Sequence, residues 1–446
     1  MSDSRDREFQ RPIPPVLYGA PDLHGPPDLL DPPDLHGPAP LRHPGECRGP
    51  LDATRDGEAR LQALVRRCRD LHEDTALTAV GEWKERHPGA WAVGYLPIYI
   101  PAEILHAAGA LPVGIQGGGD RTEVIRGDAY FQSYICRLPR STVELGLAGK
   151  LDALDGMIFP AICDVIRNLS GIWTLLFPDR YVRFLDLPQN FDPAVGGRFY
   201  REQLEALLSD VSAQTGVANP RERLRASLEL FDANRALIRS LHAARVEAPE
   251  RIPTHEAYVV QRAGHLLPVE EHNALLREYL DLASHREAVL QDNARVVLVG
   301  AFCEQPPLAL IRSLEIAGCY IVDDDFLLGN RLLSEPVGGD GDPLDRLVAA
   351  FLRRGTPCSS IYDPEGTRVE QLVERVRRTR ADGVVLAAPS FCDPALLDRP
   401  DYQKGLERAA IPFTAFKYAE NTGQLGAIRE QVGTFAESIR LWGETA

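Results

Sequence analysis

The 446-residue sequence has no long hydrophobic run and no excess of positive charge. Its closest approach to a membrane span, residues 90–102, carries Pro97 and Pro101 and is shorter than the roughly 20 apolar residues that a bilayer requires. Lysine and arginine number 49 against 64 aspartate and glutamate residues, so the net charge is −15. Because such a chain repels phosphate backbones and anionic lipids, we expect neither nucleic acid nor a membrane as a partner.

Several catalytic signatures are also missing. No Gly-x4-Gly-Lys-Ser/Thr loop occurs, so we expect the chain not to hydrolyse ATP itself. The 11 histidines form no His-Glu-x-x-His pair and there is no Gly-x-Ser-x-Gly elbow, which argues against zinc proteases and serine hydrolases. The opening MSDSRDREFQ lacks the apolar core of a signal peptide, which predicts a cytoplasmic protein. In that reducing compartment, eight cysteines suit core packing, metal ligation or redox chemistry better than disulfides.

Proline is concentrated at the N-terminus, where the first 50 residues hold 12 of the 35 prolines and a direct repeat, PDLHGP, at 21–26 and 33–38. Proline fixes φ and removes a hydrogen-bond donor, so such a stretch favours neither helix nor sheet. We therefore predict a disordered or extended tail over residues 1–55. Order is expected from near Glu58, where apolar residues recur at helical spacing.

The rest of the chain alternates short apolar runs with helical patterns. The predicted strands include residues 91–96, 111–115, 156–160, 181–187, 295–301, 320–322, 384–388 and 411–416. Strands that alternate with helices indicate parallel sheets, so the predicted fold class is α/β, with two doubly wound units of the Rossmann or flavodoxin type. The expected domains are an N-terminal α/β unit over 56–195, a helical segment over 196–292 and a C-terminal α/β unit over 293–446.

Three cysteines stand where a doubly wound sheet binds its ligands, at or near the ends of strands. Cys163 follows the run GMIFPAI, Cys392 follows GVVLAAPSF, and Cys136 precedes a predicted helix. A helix N-terminus stabilises a thiolate through its positive dipole end, and thiolates are metal ligands. The separations of 27 and 229 residues (163 minus 136, 392 minus 163) match no zinc ribbon or ferredoxin pattern, so the residues alone leave a metal site and incidental cysteines both open.

The other cysteines carry weaker signals. Cys68 lies in an apolar helical stripe and Cys319 begins a strand, so both are predicted core residues. Cys303 also follows a strand and could be a further ligand, a cleft residue or packing. Cys47 and Cys358 lie in loop contexts with no partner pattern.

Two polar patterns are interpreted as local structure. Ser141 and Glu144 have the spacing of a capping box after Cys136. Asp323, Asp324 and Asp325 form an acidic run after a strand, for which a solvated loop is expected rather than a metal site.

At this point the sequence resembles the 2-hydroxyacyl-CoA dehydratase and benzoyl-CoA reductase family. The resemblance rests on YLPIYIPAEILHAAGALPVGI, YICRLPRS, FPAICDVIRN, SFCDP and IPFTAFKYAENTGQLGAIREQVGTFAESI, which follow one another in the family's order. It covers about residue 58 to the end. Within the family, residues 130–173 are most similar to the non-ATPase (B/C-type) subunits of ATP-dependent benzoyl-CoA reductases.

The resemblance implies that Cys136, Cys163 and Cys392 hold one [4Fe-4S] cluster, which could be part of a double-cubane cluster. Three protein ligands would leave one iron without a thiolate. Glu103 matches a family carboxylate near the substrate thioester, although a glutamate in the first turn of a helix is also favoured by the helix dipole alone.

The implied function is single-electron reduction of the ring of benzoyl-CoA or a similar CoA thioester, as in anaerobic aromatic degradation. Its expected partners are a paralogous cluster-binding subunit, ATP-hydrolysing activator subunits and an upstream ferredoxin-type electron donor. The cluster potential would lie near the low end of the iron–sulfur range, roughly −700 mV.

Two alternatives stay open. The chain could be a 2-hydroxyacyl-CoA dehydratase subunit that acts through a ketyl radical, or a non-catalytic electron-carrier or assembly subunit. A fourth thiolate from Cys303 would close the cluster and favour the latter.

Overall fold

The computed structural model describes residues 50–96, 98–300, 306–325, 335–354, 366–419 and 423–443. Cys47, Cys303, Cys358 and residues 1–49 of the predicted tail lie outside these ranges.

The first sheet has four parallel strands in the order β2-β1-β3-β4. These strands are β1 (Trp91–Tyr95), β2 (Ala110–Gly114), β3 (Gly156–Pro160) and β4 (Tyr181–Leu185). Every residue of β2 and β3 is buried, as expected for parallel strands covered on both faces. The chain winds outward from β1 to β2 and then returns to β3, so the strand order reverses between β1 and β3.

The second sheet repeats this topology in the order β6-β5-β7-β8, again all parallel. Its strands are β5 (Ala294–Val299), β6 (Cys319–Asp324), β7 (Gly383–Pro389) and β8 (Phe413–Tyr418). Cys319 is buried at the start of β6, as predicted. The predicted α/β class with two doubly wound units is confirmed.

Helices cover both sheets and fill the segment between them. The helices in the described ranges are α1 (Pro50–Glu73), α2 (Thr78–Arg86), α3 (Ala102–Ala107), α4 (Arg137–Leu147), α5 (Asp164–Leu176), α6 (Arg198–Thr215), α7 (Pro220–Glu247), α8 (Thr254–Ala263), α9 (Val269–Ser284), α10 (Leu308–Ile316), α11 (Pro343–Arg354), α12 (Arg368–Thr379), α13 (Asp393–Arg408) and α14 (Leu425–Gly443). Helix α1 begins at Pro50, before the expected start near Glu58, and buries Cys68 as predicted. None of the helices described is both long enough and apolar enough to cross a membrane.

The helices between the sheets contact both of them. Helix α7 packs against α3 of the first unit and against β6 of the second. The Thr254 hydroxyl at the start of α8 donates to the carbonyl of Ile321 in β6 at 3.1 Å. The predicted boundaries at 195/196 and 292/293 stay predictions, but these helices are integrated into the packing of both sheets.

The expectation that residues 323–325 form a solvated loop is wrong. Strand β6 continues through Asp324, and the three carboxylates are only 2 to 4% exposed. Arg375 Nε donates to Asp323 at 2.9 Å, and Arg245 Nη2 donates to Asp324 at 2.5 Å. Buried charges persist when they are paired in this way, a partnership that the sequence run alone does not reveal.

The third carboxylate, Asp325, anchors the turn that follows β5. It accepts the backbone N–H of Gly300 at 3.1 Å. Gly300 has φ of 116°, and a Cβ there would lie 2.6 Å from the carbonyl oxygen of Ala387, so only glycine suits this position. The acidic run therefore stabilises the carboxyl end of the second sheet.

Acid should weaken this arrangement at Asp323. Burial acts to raise its pKa, but Arg375 more than offsets that effect and the pKa falls from 3.8 to about 2. A depressed folded-state pKa contributes stability above the unfolded value, and this contribution is lost as pH falls from about 4 to 2. We expect a loss of about 2 kcal/mol in the free energy of unfolding over that window, measured by urea denaturation.

The Asp323→Asn variant should show a flatter pH dependence in the same window. Asp292→Asn is the matched control. Asp292 is 85% exposed in its pair with Arg440, so it should contribute little to the pH dependence of the free energy of unfolding. Equal pH profiles for the parent and Asp323→Asn would contradict the assignment.

Candidate active site

Each of the three cysteines occupies the N-cap position of a helix, which agrees with their predicted placement near helix N-termini. Cys136 precedes α4, Cys163 precedes α5 and Cys392 precedes α13. Cys163 follows β3 and Cys392 follows β7, which are corresponding strands of the two sheets. Both cysteines therefore lie at carboxyl ends of strands beside the point of order reversal, where doubly wound sheets bind ligands.

The three thiols are close enough to interact electrostatically. The pKa of Cys163 is raised to about 12, mainly by burial, and the neighbouring Cys136 and Cys392 raise it further. The backbone N–H groups of Ile166 and Val165 at the start of α5 act in the opposite direction. Cys136 and Cys392 are 6% and 2% exposed, whereas Cys163 is half-buried, so water reaches this group of thiols mainly at Cys163.

Cys392 reaches the first unit because the two units share a hydrophobic core. Phe351 of α11 packs its ring against Tyr99 and Tyr200 of the first half, with centroid distances of 5.9 and 4.6 Å. Cys136 and Cys392 belong to that same core, and Cys163 packs against it. The site is thus built across the two sheets.

The segment before Cys136 is held by side chains of α4, and the predicted capping box is wrong. Helix α4 begins at Arg137, so Ser141 and Glu144 lie inside it. The Ser141 hydroxyl accepts the backbone N–H of Gly118 at 3.1 Å, and the Glu144 carboxylate accepts that of Gly127 at 2.8 Å. Burial acts to raise the pKa of Glu144, but the backbone N–H groups of Gly127 and Ile125, together with Arg126, lower it overall. Ser141 and Glu144 therefore fix the loop that carries Cys136 to the site.

The donor set fits an iron–sulfur cluster better than a single metal ion. Within the described part of the chain, no three histidine, cysteine or carboxylate side chains are placed to hold one metal ion. In a cluster, each thiolate binds a different iron, so its ligands need not converge on one point. Three neighbouring thiols at helix N-termini meet that requirement, because the N-termini favour the negative charge of thiolates and cluster.

Glu103 lies in a buried ion pair. Its side chain is 2% exposed, and its carboxylate accepts from Arg235 Nη1 of α7. Arg235 also donates to Asp232 at 2.6 Å, and Asp232 accepts the backbone N–H groups of Val337 and Gly338. Asp232 and Arg235 are three residues apart, a spacing at which oppositely charged side chains commonly pair on one helix. The sequence therefore suggests Asp232 as the partner of Arg235 and gives no sign of the pair with Glu103.

Two tyrosines are sensitive to the charge of Glu103. Burial raises the pKa of both Tyr95 and Tyr200, and Glu103 raises each further. Their hydroxyls consequently stay protonated and can donate hydrogen bonds. A cavity of about 390 Å³, lined by Tyr95, His106 and Arg223 among others, lies beside α3 and the amino half of β2.

The chain belongs to the family described as 2-hydroxyglutaryl-CoA dehydratase, D-component, whose model matches residues 97–439. This finding confirms the resemblance read from the sequence motifs. The C-type subunit of the benzoyl-CoA reductase of Thauera aromatica is 50% identical over 380 residues, which are 85% of this chain and 98% of that protein.

Relatives that act in dehydratases are more distant. The (R)-phenyllactyl-CoA dehydratase beta subunit of Clostridium sporogenes is 28% identical over 79% of this chain and 92% of its own length. The beta subunit of the (R)-2-hydroxyglutaryl-CoA dehydratase of Acidaminococcus fermentans is 27% identical over 80% of this chain and 94% of its own length. All three relatives are components of enzymes that have further subunits.

A reagent that bridges adjacent thiols should detect the convergence of the cysteines without any metal. We expect dibromobimane, a thiol cross-linker long enough to span two neighbouring corners of a cluster site, to join two of Cys136, Cys163 and Cys392 in the reduced, iron-free protein, read by peptide mass spectrometry. Cys163→Ser should lower this labelling. Cys319→Ser should not, because Cys319 is buried at the start of β6 and does not belong to this group. A folded protein that stays unlabelled at all three positions would refute the convergence.

Removal of Arg235 should destabilise the fold. Arg235→Met leaves the carboxylates of Glu103 and Asp232 buried without their cation, which we expect to cost about 3–5 kcal/mol in urea unfolding. Arg239→Met is the control, because Arg239 lies one turn further along α7 and pairs with Glu335 at 50% exposure on both sides. That variant should cost less than about 1 kcal/mol. Equal costs would argue against the buried pair.

Proposed function

We propose that this chain is the iron–sulfur subunit of an ATP-dependent aryl-CoA reductase that reduces the ring of benzoyl-CoA or a similar CoA thioester. The reaction adds two electrons and two protons to the ring and forms a cyclohexadiene carboxyl-CoA. The convergence of Cys136, Cys163 and Cys392 supports this proposal, together with 50% identity to a benzoyl-CoA reductase subunit over nearly all of that subunit.

The three cysteines would hold one [4Fe-4S] cluster. When bound, such a cluster supplies single electrons at low potential, and three protein ligands leave one iron without a thiolate. The N-termini of α4, α5 and α13 favour the added negative charge. The metal-free Cys163 thiol, with its pKa near 12, is protonated at neutral pH, so metal binding must release its proton.

Glu103 is proposed as the carboxylate near the thioester. In the structure its carboxylate is occupied by Arg235, so contact with substrate requires this pair to open or the substrate to approach the other oxygen. Tyr95 and Tyr200, kept protonated by burial and by Glu103, offer hydroxyl donors in the same region. These donors would orient the substrate and hold protons close to it.

Further subunits complete the proposed enzyme. The sequence contains no phosphate-binding loop, which agrees with ATP hydrolysis by separate activator subunits. We propose a paralogous cluster-binding subunit as a second partner, with a ferredoxin-type donor upstream. The described cysteines form no disulfide, in keeping with a cytoplasmic location.

A second candidate function is 2-hydroxyacyl-CoA dehydration, which the relatives at 27 and 28% identity favour. It would use the same cysteines but expel hydroxide from a ketyl radical of the substrate. The cysteine geometry does not separate the two reactions, whereas the higher identity favours ring reduction.

The product separates the two functions. We expect the complex assembled with activator and paralogous subunits, ATP and a strong reductant to convert benzoyl-CoA to a cyclohexadiene carboxyl-CoA and to leave an (R)-2-hydroxyacyl-CoA unchanged. Mass spectrometry of the thioesters gives the result. Cys163→Ser should abolish turnover and Cys319→Ser should retain it. Dehydration of the 2-hydroxyacyl-CoA with benzoyl-CoA untouched would replace this proposal with the dehydratase.

A further inference from the structure

The residue before Cys392 has an unusual conformation. Phe391 has φ of 64°, in the left-handed region that disfavours side chains, and its side chain is 53% exposed. The turn is closed by the N–H of Cys392, which donates to the carbonyl of Pro389 at 3.2 Å. A positive φ at the third residue of such a turn normally calls for glycine or asparagine.

The corresponding turn of the first sheet differs. There Ile162 precedes Cys163, is 3% exposed and is not among the residues with positive φ. In the first unit, burial of the large apolar residue before the cysteine therefore stabilises the fold. In the other unit, Phe391 combines backbone strain with an exposed ring, which folding alone does not favour.

The location of Phe391 points to a small-molecule ligand. It lies at the carboxyl end of β7, where the strand order of the second sheet reverses, and doubly wound sheets usually bind their ligands at this position. Its neighbour Cys392 belongs to the thiol group described above. Tyr134, two residues before Cys136, is also 66% exposed, so aromatic rings flank two of the three cysteines.

We infer that Phe391 is a specificity-determining residue whose ring contacts the acyl group of the CoA thioester, and this inference rests on the proposed function. Aromatic rings pack on planar rings in offset or edge-to-face arrangements, which suits an aryl acyl group. The left-handed backbone holds the ring outward beside Cys392 instead of in the core.

The test separates binding from folding. The complete enzyme complex with Phe391→Gly or Phe391→Leu is titrated calorimetrically with non-reducible thioether analogues of benzoyl-CoA and acetyl-CoA. We expect Phe391→Gly to weaken binding of the aryl analogue about tenfold and to leave the acetyl analogue unchanged. Its thermal midpoint should hold or rise, because glycine relieves the positive φ.

Ala410→Gly is the matched control. Ala410 has φ of 52° and is exposed, but it lies before β8 at the opposite end of the same sheet. Its replacement should also hold or raise the thermal midpoint while leaving both affinities unchanged.

Three results would overturn the inference. They are unchanged affinity for the aryl analogue in Phe391→Gly, a fall of several degrees in its thermal midpoint, and loss of subunit association with ligand affinity retained. A different pattern would refute only the proposed function. If the parent binds a 2-hydroxyacyl analogue instead of the aryl analogue, and Phe391→Gly weakens that binding, the contact stands and ring reduction does not.

Discussion

The packing of helix α11 into the core of the first half is the contact on which the site depends. Phe351 lies against Tyr99 and Tyr200, and this shared core places the β7–α13 turn beside the β3–α5 turn. Cys392 itself belongs to this shared core. A large apolar contact of this kind is favourable whether or not a cofactor is bound, so the protein can prepare the position of its thiols in advance.

Electrostatics then sets the chemistry that these positions allow. Buried thiols resist ionisation, as the pKa of Cys163 shows, whereas helix N-termini favour negative charge. The balance keeps the Cys163 thiol protonated at neutral pH and favours an anionic group at the same place once that proton is released. Further from the thiols, the carboxylates at the end of β6 are matched by Arg245 and Arg375, which stabilises the second sheet at the same end as Cys392.

Much of the fold was predictable from sequence because its signals are local. Buried strands such as β3 and β7 are continuous apolar runs, and Asp393-Pro394 marks the start of α13. The proximity of Cys392 to Cys163 was not predictable from their separation in the sequence, because it depends on contacts between distant segments of the chain. The Arg235 partner of Glu103 and the burial of Asp324 were hidden for the same reason, because a charged residue looks solvated until its partner is known.

The most direct test of the central claim is iron and acid-labile sulfide analysis with EPR on the anaerobically purified chain. The comparison is a variant with Cys136, Cys163 and Cys392 all changed to alanine. The account predicts about four irons per chain in the parent and none in a folded variant. A fresh, well-folded parent without iron, or a variant that retains the parent's iron, would contradict the assignment of these three cysteines to one cluster.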